Sequence, residues 1–147
     1  MTIYEILLFL HDITRWLVLL FGLYAVVRAF IGWLGKKEWK RVHKTSGMLF
    51  ASFLDLQLVF GLILYFISPI TSAGLRNFGG AMKVADVRFF LVEHSLIMLL
   101  AVVLAHLGSV MAKKASTDLQ KHRRAALWYL GALVLILGGI PWERLFN

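Results

Sequence analysis

Five histidines in a chain with no cysteine set the chemistry open to this protein. Three of them, His11, His94 and His106, fall inside hydrophobic stretches, where an imidazole is costly unless something uses it. A neutral imidazole nitrogen is a ligand for iron, zinc or copper, and histidines on facing helices of a bundle can hold one haem iron between them. The absence of cysteine excludes disulfides, iron–sulfur clusters and thiol catalysis, which leaves histidine as the ligand type for a haem or a soft metal. His43 and His122 lie closer to polar segments and are the other candidate ligands. Arg15 follows His11 by one helical turn. It can pair with Asp12 or Glu93, or with a haem propionate, a carboxylate suited to bidentate hydrogen bonding. No GxSxG, HExxH, P-loop or Rossmann fingerprint is present, and no Ser/His/Asp set is concentrated on a soluble face.

These side chains need elements to hold them. The 147 residues are 60% hydrophobic and 16% charged, against about 45–50% and about 25% in soluble domains. Four apolar segments account for the excess: Ile6–Leu34, Thr45–Ile67, Phe89–Ala112 and Ala125–Ile140. A hydrocarbon layer of ~30 Å takes about 20 helical residues. The first three reach that length, and the fourth does so if extended through Trp142. The expected fold is an all-α, integral membrane four-helix bundle forming one domain over residues 1–147, with the lipid bilayer as its first partner. Asp12 and Arg15 interrupt the first segment and no basic leader precedes it, so it is expected to be a retained helix rather than a cleaved signal.

The net charge of +8 follows the topology of such a bundle and not a nucleic-acid surface. Lys36, Lys37, Lys40, Arg41 and Lys44 follow the first span, and Lys113, Lys114, Lys121, Arg123 and Arg124 precede the fourth. The opposite side carries Arg76, Lys83, Arg88 and Arg144. Ten against four in short loops is the positive-inside pattern, and it places both termini on the non-cytoplasmic side. Ser68–Pro69 ends the second helix, Gly74, Gly79 and Gly80 mark an extended outer loop, and Ser116-Thr117-Asp118 offers an N-cap to the fourth helix. Trp16, Trp33, Trp39, Trp128 and Trp142 fall mostly near the interfaces, as an aromatic belt does.

Helix periodicity then relates the histidines to one another. His11, Arg15, Val18, Gly22, Ala25, Ala29 and Gly32 share one stripe, and His94, Met98, Ala101, Ala105, Gly108 and Ala112 share another. Small residues on such seams let membrane helices approach closely or leave room for a flat cofactor. At ~1.5 Å per residue, His11 and His94 both lie roughly 9–10 Å to the outer side of mid-membrane, as a pair of axial ligands would. His106 lies about 9 Å to the inner side and about 120° around the axis from His94. A second, inner haem would use His106 with His43 or His122. Asp55 and Gln57, near the middle of the second helix, point to different faces. They are expected to bond to a neighbouring backbone, the alternative being a quinone or proton path.

His43-Lys44-Thr45-Ser46-Gly47 resembles the His-Arg-Ser-x-Gly start of the second helix in bacterial cytochromes b561, four-helix proteins with two haems b that exchange electrons with quinone. Here the helix with two histidines is the third, not the fourth. The chain is more closely similar to small bacterial membrane proteins loosely called "cytochrome B", through Leu56–Pro69 (LQLVFGLILYFISP), Arg88–His94 (RFFLVEH), Lys113–His122 (KKASTDLQKH) and Ile140–Trp142 (IPW). That resemblance implies haem histidines at His11, His94 and His122 rather than His43. Together the resemblances imply an electron carrier of the bacterial inner membrane with one or two haems b, exchanging electrons with quinone or a respiratory partner, and acting within a larger complex or a homo-oligomer. The alternative is a haem-free accessory subunit of a larger membrane complex, its His, Arg and Glu residues serving as interhelical polar contacts.

Overall fold

Thr2 opens the first helix: its side chain accepts the Glu5 N–H at 3.2 Å, and the Glu5 carboxylate accepts the Thr2 N–H at 2.6 Å. This reciprocal capping box starts α1 (Ile3–Leu34) ahead of the apolar run that begins at Ile6. The computed structural model describes residues 1–146. At the other end of α1 the Lys37 N–H reaches the Gly32 carbonyl at 3.0 Å and the Lys36 N–H reaches that of Trp33 at 3.3 Å. This is a Schellman closure, and Lys36 takes the left-handed position (φ 48°) that glycine usually fills. Gly35 stands one residue earlier, at the cap itself.

Polar first turns lengthen the other helices in the same way. In α2 (Arg41–Ile67), His43 Nδ1 accepts the Lys40 N–H at 3.0 Å, doing what a glutamate does in a capping box. In α7 (Asp118–Gly139) the Thr117 hydroxyl caps the Gln120 N–H at 3.2 Å, so the expected N-cap segment is used and the helix begins before Ala125. Its far end corrects an expectation. The helix does not continue through Trp142, because Pro141 has no N–H to offer the Leu137 carbonyl. Trp142 Nε1–H takes that carbonyl instead, at 2.8 Å, and a short α8 (Trp142–Leu145) follows.

The connection between the second and third long helices is also more ordered than an extended loop. Pro69 occupies the first turn of α3 (Pro69–Arg76), a position where its missing N–H is harmless. Asn77 caps α4 (Phe78–Ala81) through the Gly80 N–H, and α5 (Ala85–Arg88) leads directly into a π-helical turn, Phe89–Glu93. α6 (His94–Lys114) continues from it. The third long helix therefore starts before Phe89 and runs past Ala112. In the wide turn the His94 N–H bonds back five residues to the Phe89 carbonyl. Two carbonyls there find hydroxyl partners: Phe90 O accepts from Ser95 at 2.9 Å, and Leu91 O accepts from Tyr65 of α2 at 3.0 Å.

The four long helices pack in a ring in the order α1, α2, α6, α7, with α7 closing back on α1. The seams read from spacing are the buried ones: Val18, Gly22, Ala25, Ala29 and Gly32 on α1, and Ala101, Ala105, Gly108 and Ala112 on α6. Phe50 (0% exposed) fills the middle, edge-on to Tyr129 with centroids 5.8 Å apart. Tyr129 in turn rests on Gly47 and Gly108 and shares a 2.8 Å hydrogen bond with Ser109. Outward positions carry Leu20, Leu23, Leu62, Leu100 and Val134, all exposed. Three helices, Ile3–Leu34, Arg41–Ile67 and Ala85–Lys114, are long and apolar enough to cross a membrane, which suggests membrane association. α7, with Lys121, Arg123 and Arg124 in its first turns, falls outside that group. All regular structure among the described residues is helical.

Candidate functional site

His11 and His94 face each other across the end of the ring where α1 begins and α7 ends. Their ring centroids are 6.5 Å apart, with planes inclined at 69°. Each ring has a physical reason for its place. A Cβ on Gly61 of α2 would stand 3.2 Å from His11 Cε1, so the glycine leaves the space that the His11 imidazole uses. His94 follows the π turn directly and lies against Phe89 and Phe90, at 5.8 and 6.0 Å. Its Nδ1 is 2.8 Å from the Gly139 carbonyl. A carbonyl only accepts, so in the neutral ring Nδ1 carries the proton and Nε2 keeps its lone pair. That carbonyl belongs to the last turn of α7, where carbonyls lack intrahelical donors.

Both rings line a cavity of about 510 Å³ bounded by α1, α2, α6 and the α7–α8 corner. The volume is within the roughly 300–1,000 Å³ range of ligand sites. Arg15 and Arg144 also line it. Arg15 pairs with Asp12 at 3.1 Å, one of the partners expected for it; its own side chain is 12% exposed. Its Nε and His11 Nδ1 are both buried without a hydrogen-bond partner among the described residues. Glu93, the other expected partner of Arg15, pairs with Arg88 at 2.9 Å. Arg144 reaches Asp86 at 3.1 Å and lies over the Phe90 ring. Gln57 reaches across from α2 to the Thr14 hydroxyl, so it bonds to a neighbour as expected, although to a side chain and not to backbone.

His43, His106 and His122 assemble differently from the expected pairing. His106 Nε2 bonds to Asp55 of α2 at 2.7 Å, and both side chains are about half exposed (49% and 48%). The buried seam passes through Ala105. The next residue is turned about 100° away, which carries His106 out of the core. Asp55 and His43 are twelve residues apart on α2, or ~18 Å of helix, so His43 is remote from His106. His43 meets His122 instead, with ring centroids at 4.5 Å, and Trp39 stacks on His43 at 5.5 Å and lies tilted against His122 at 5.0 Å.

His122 is fully buried (0% exposed). Its Nε2 faces the carbonyls of Lys37 and Glu38 at 3.1 and 3.3 Å, so Nε2–H donates to the α1–α2 connection. Gly32 is what admits the ring, since a Cβ there would overlap His122. This cluster was not foreseen as a pair. The signal lay in the spacing: His122, Ala125, Ala126, Tyr129, Ala132, Leu133 and Ile136 form the buried face of α7, and His43, Ser46, Gly47, Phe50 and Leu54 that of α2.

Among the described residues, no group of three or more His, Asp and Glu side chains is placed to hold a metal ion. The His11–His94 site therefore offers two imidazoles, fewer than a bare tetrahedral ion takes. A haem would need few ligands from the protein, and His11 and His94 are the side chains that would supply them. No family model matches the chain, and no curated protein or solved structure matches it at a significant level. The likeness to membrane cytochromes b thus rests on the quoted motifs alone.

Proposed function

We propose that this chain is a membrane b-type cytochrome-like protein that passes electrons between quinone or a respiratory partner and a single haem held at the outer site. The observation that carries the reading is the pair His11 and His94, on different helices, 6.5 Å apart at one cavity of about 510 Å³. Two imidazoles sharing one metal would have centroids roughly 6 Å apart, given metal–nitrogen bonds of about 2.0–2.1 Å such as zinc makes. The Gly139 carbonyl fixes the His94 tautomer with Nε2 available, as the hydrogen-bond partners of ligating histidines do. Arg15 and Arg144, both at the cavity wall, would take the haem propionates. Bound haem supplies a one-electron couple, and the residues supply orientation, charge balance and a largely apolar wall that sets its potential.

The inner set fits a second haem poorly. His106 is committed to Asp55, and His122 Nε2–H to backbone carbonyls, so the reading is of one haem rather than two. The chain is taken to lie in a bacterial inner membrane as a four-helix bundle, α7 completing the three apolar spans, with both basic loops cytoplasmic and both termini outside. A second reading, a haem-free subunit of a larger membrane complex, is favoured by one feature. The half-exposed Asp55–His106 pair lies within helices apolar enough to span, where ionisable groups normally face protein or water.

The test is the reduced-minus-oxidised absorption spectrum of protein purified from cells supplied with haem. A b-type α-band at about one haem per chain is expected, lost or converted to a high-spin form in His11→Ala and His94→Ala and kept in His106→Ala. A colourless protein that is folded and inserted favours the subunit reading. A full spectrum in both outer variants ends the proposal of axial ligation.

A further inference from the structure

A second cavity, of about 370 Å³, lies at the opposite end of the ring, where α1 turns into α2; Arg28, Lys37, Glu38, Lys40 and His43 line it. Three cations face one carboxylate there. Arg28 is the telling member. It stands six residues before the end of α1, ~9 Å inside a helix apolar enough to span. Its Nε is buried without a hydrogen-bond partner, and it makes no ion pair among the described residues. A guanidinium in such a place is ordinarily matched by a carboxylate or another anion. The left-handed turn at Lys36 and the Schellman closure bring Lys37 to the same cavity. His122 then fastens the segment by bonding the Lys37 and Glu38 carbonyls. His43 Nδ1 is occupied by the Lys40 N–H, which leaves Nε2–H as the donor of that ring.

We infer that this inner cavity binds a phosphate-bearing anion, with the partly buried Arg28 as the anchor and Lys37 and Lys40 at the rim. A planar guanidinium beside two ammonium groups suits phosphate oxygens. A basic pocket at the end of spanning helices is where an anionic lipid headgroup is held. Free phosphate has the same chemistry. The inference is independent of haem at the outer site, since it uses none of those residues.

The test uses the full chain purified in a neutral detergent, with the thermal midpoint and the fluorescence of Trp39, 5.5 Å from His43, as readouts. Dioleoyl phosphatidylglycerol, dioleoyl phosphatidylcholine and inorganic phosphate are titrated separately. Phosphatidylglycerol should raise the midpoint saturably and phosphatidylcholine should not. An equal effect of inorganic phosphate assigns the site to the free anion, and none assigns it to the lipid. Lys37→Gln with Lys40→Gln, two exposed positions, should weaken half-saturation roughly thirtyfold, and Arg28→Gln at least as much. Lys113→Gln with Lys114→Gln, in the basic last turn of α6, should leave it unchanged. Equal weakening by that control pair, or no response to either phosphatidylglycerol or phosphate, overturns the inference.

Discussion

Replacing Gly32 by alanine adds one methyl group where the fold leaves no room for it, and should destabilise the bundle. The new Cβ would overlap the His122 ring, which is fully buried and has no open side to turn toward. Three contributions set the size. Overpacking a close-packed site costs about 1–3 kcal/mol. Displacing the ring weakens its hydrogen bonding to the Lys37 and Glu38 carbonyls, worth about 0.5–1.5 kcal/mol net. Against these, alanine is favoured over glycine in a helix by about 0.5–1 kcal/mol. The balance is a loss of about 0.5–4 kcal/mol. His122→Ala alone should cost about 2–5 kcal/mol through the cavity it leaves. In the double variant the methyl introduced by Gly32→Ala enters that cavity, so the two losses should fall short of their sum by about 1–3 kcal/mol. Unfolding in a mild detergent micelle, driven by SDS and followed by tryptophan emission, reads all four corners of the cycle, because Trp39 lies 5.0 Å from the His122 ring. Additive losses, within about 0.5 kcal/mol, would refute the claim that Gly32 exists to admit His122.

Three further outcomes follow from other contacts. Gly47→Ala pushes a methyl into the Tyr129 hydroxyl and should destabilise by about 1–3 kcal/mol. Gly131→Ala meets only Leu104 Cδ1 at 3.5 Å and should be neutral or stabilising by up to about 1 kcal/mol in the same assay. Tyr65→Phe removes the donor to the Leu91 carbonyl and should cost about 0.5–1.5 kcal/mol; an unchanged midpoint would show that water or lipid replaces it. For orientation, the chain has no native cysteine. An impermeant maleimide added to intact cells should label Ser72→Cys and spare Ser116→Cys, and the reverse pattern would invert the topology.

Much of the architecture was legible because small residues on a helix carry a geometric meaning. The alternation of threes and fours through Gly22, Ala25, Ala29 and Gly32, and through Ala101, Ala105, Gly108 and Ala112, marks the faces that are buried. Matched depth also paired His11 with His94. What spacing could not supply was the partner of each polar atom. That His94 would bind the Gly139 carbonyl depends on where α7 stops, and α7 stops because Pro141 withholds an N–H. That His106 would find Asp55 depends on the angle at which α2 and α6 meet, which no single helix encodes. The helix ends run beyond the apolar segments for a related reason. An apolar run marks the stretch suited to lipid, whereas caps at Thr2, Lys40 and Thr117 extend each helix into polar sequence.

The wide turn at Phe89–Glu93 also bears on how this chain can change its length. A π turn accommodates one residue more than an α turn while the helix on either side keeps its direction. Deleting Val92 should therefore let the segment relax to α geometry, sacrificing the Tyr65 and Ser95 hydrogen bonds but leaving Ala101, Ala105 and Gly108 against their neighbours. Deleting Val102 from the regular part of α6 offers no such slack. Everything beyond it would turn by about 100°, and Gly108 would carry its opening away from Tyr129. Single-residue deletions scanned along 85–114 and scored by monodisperse elution should thus be tolerated in one short window, just ahead of His94.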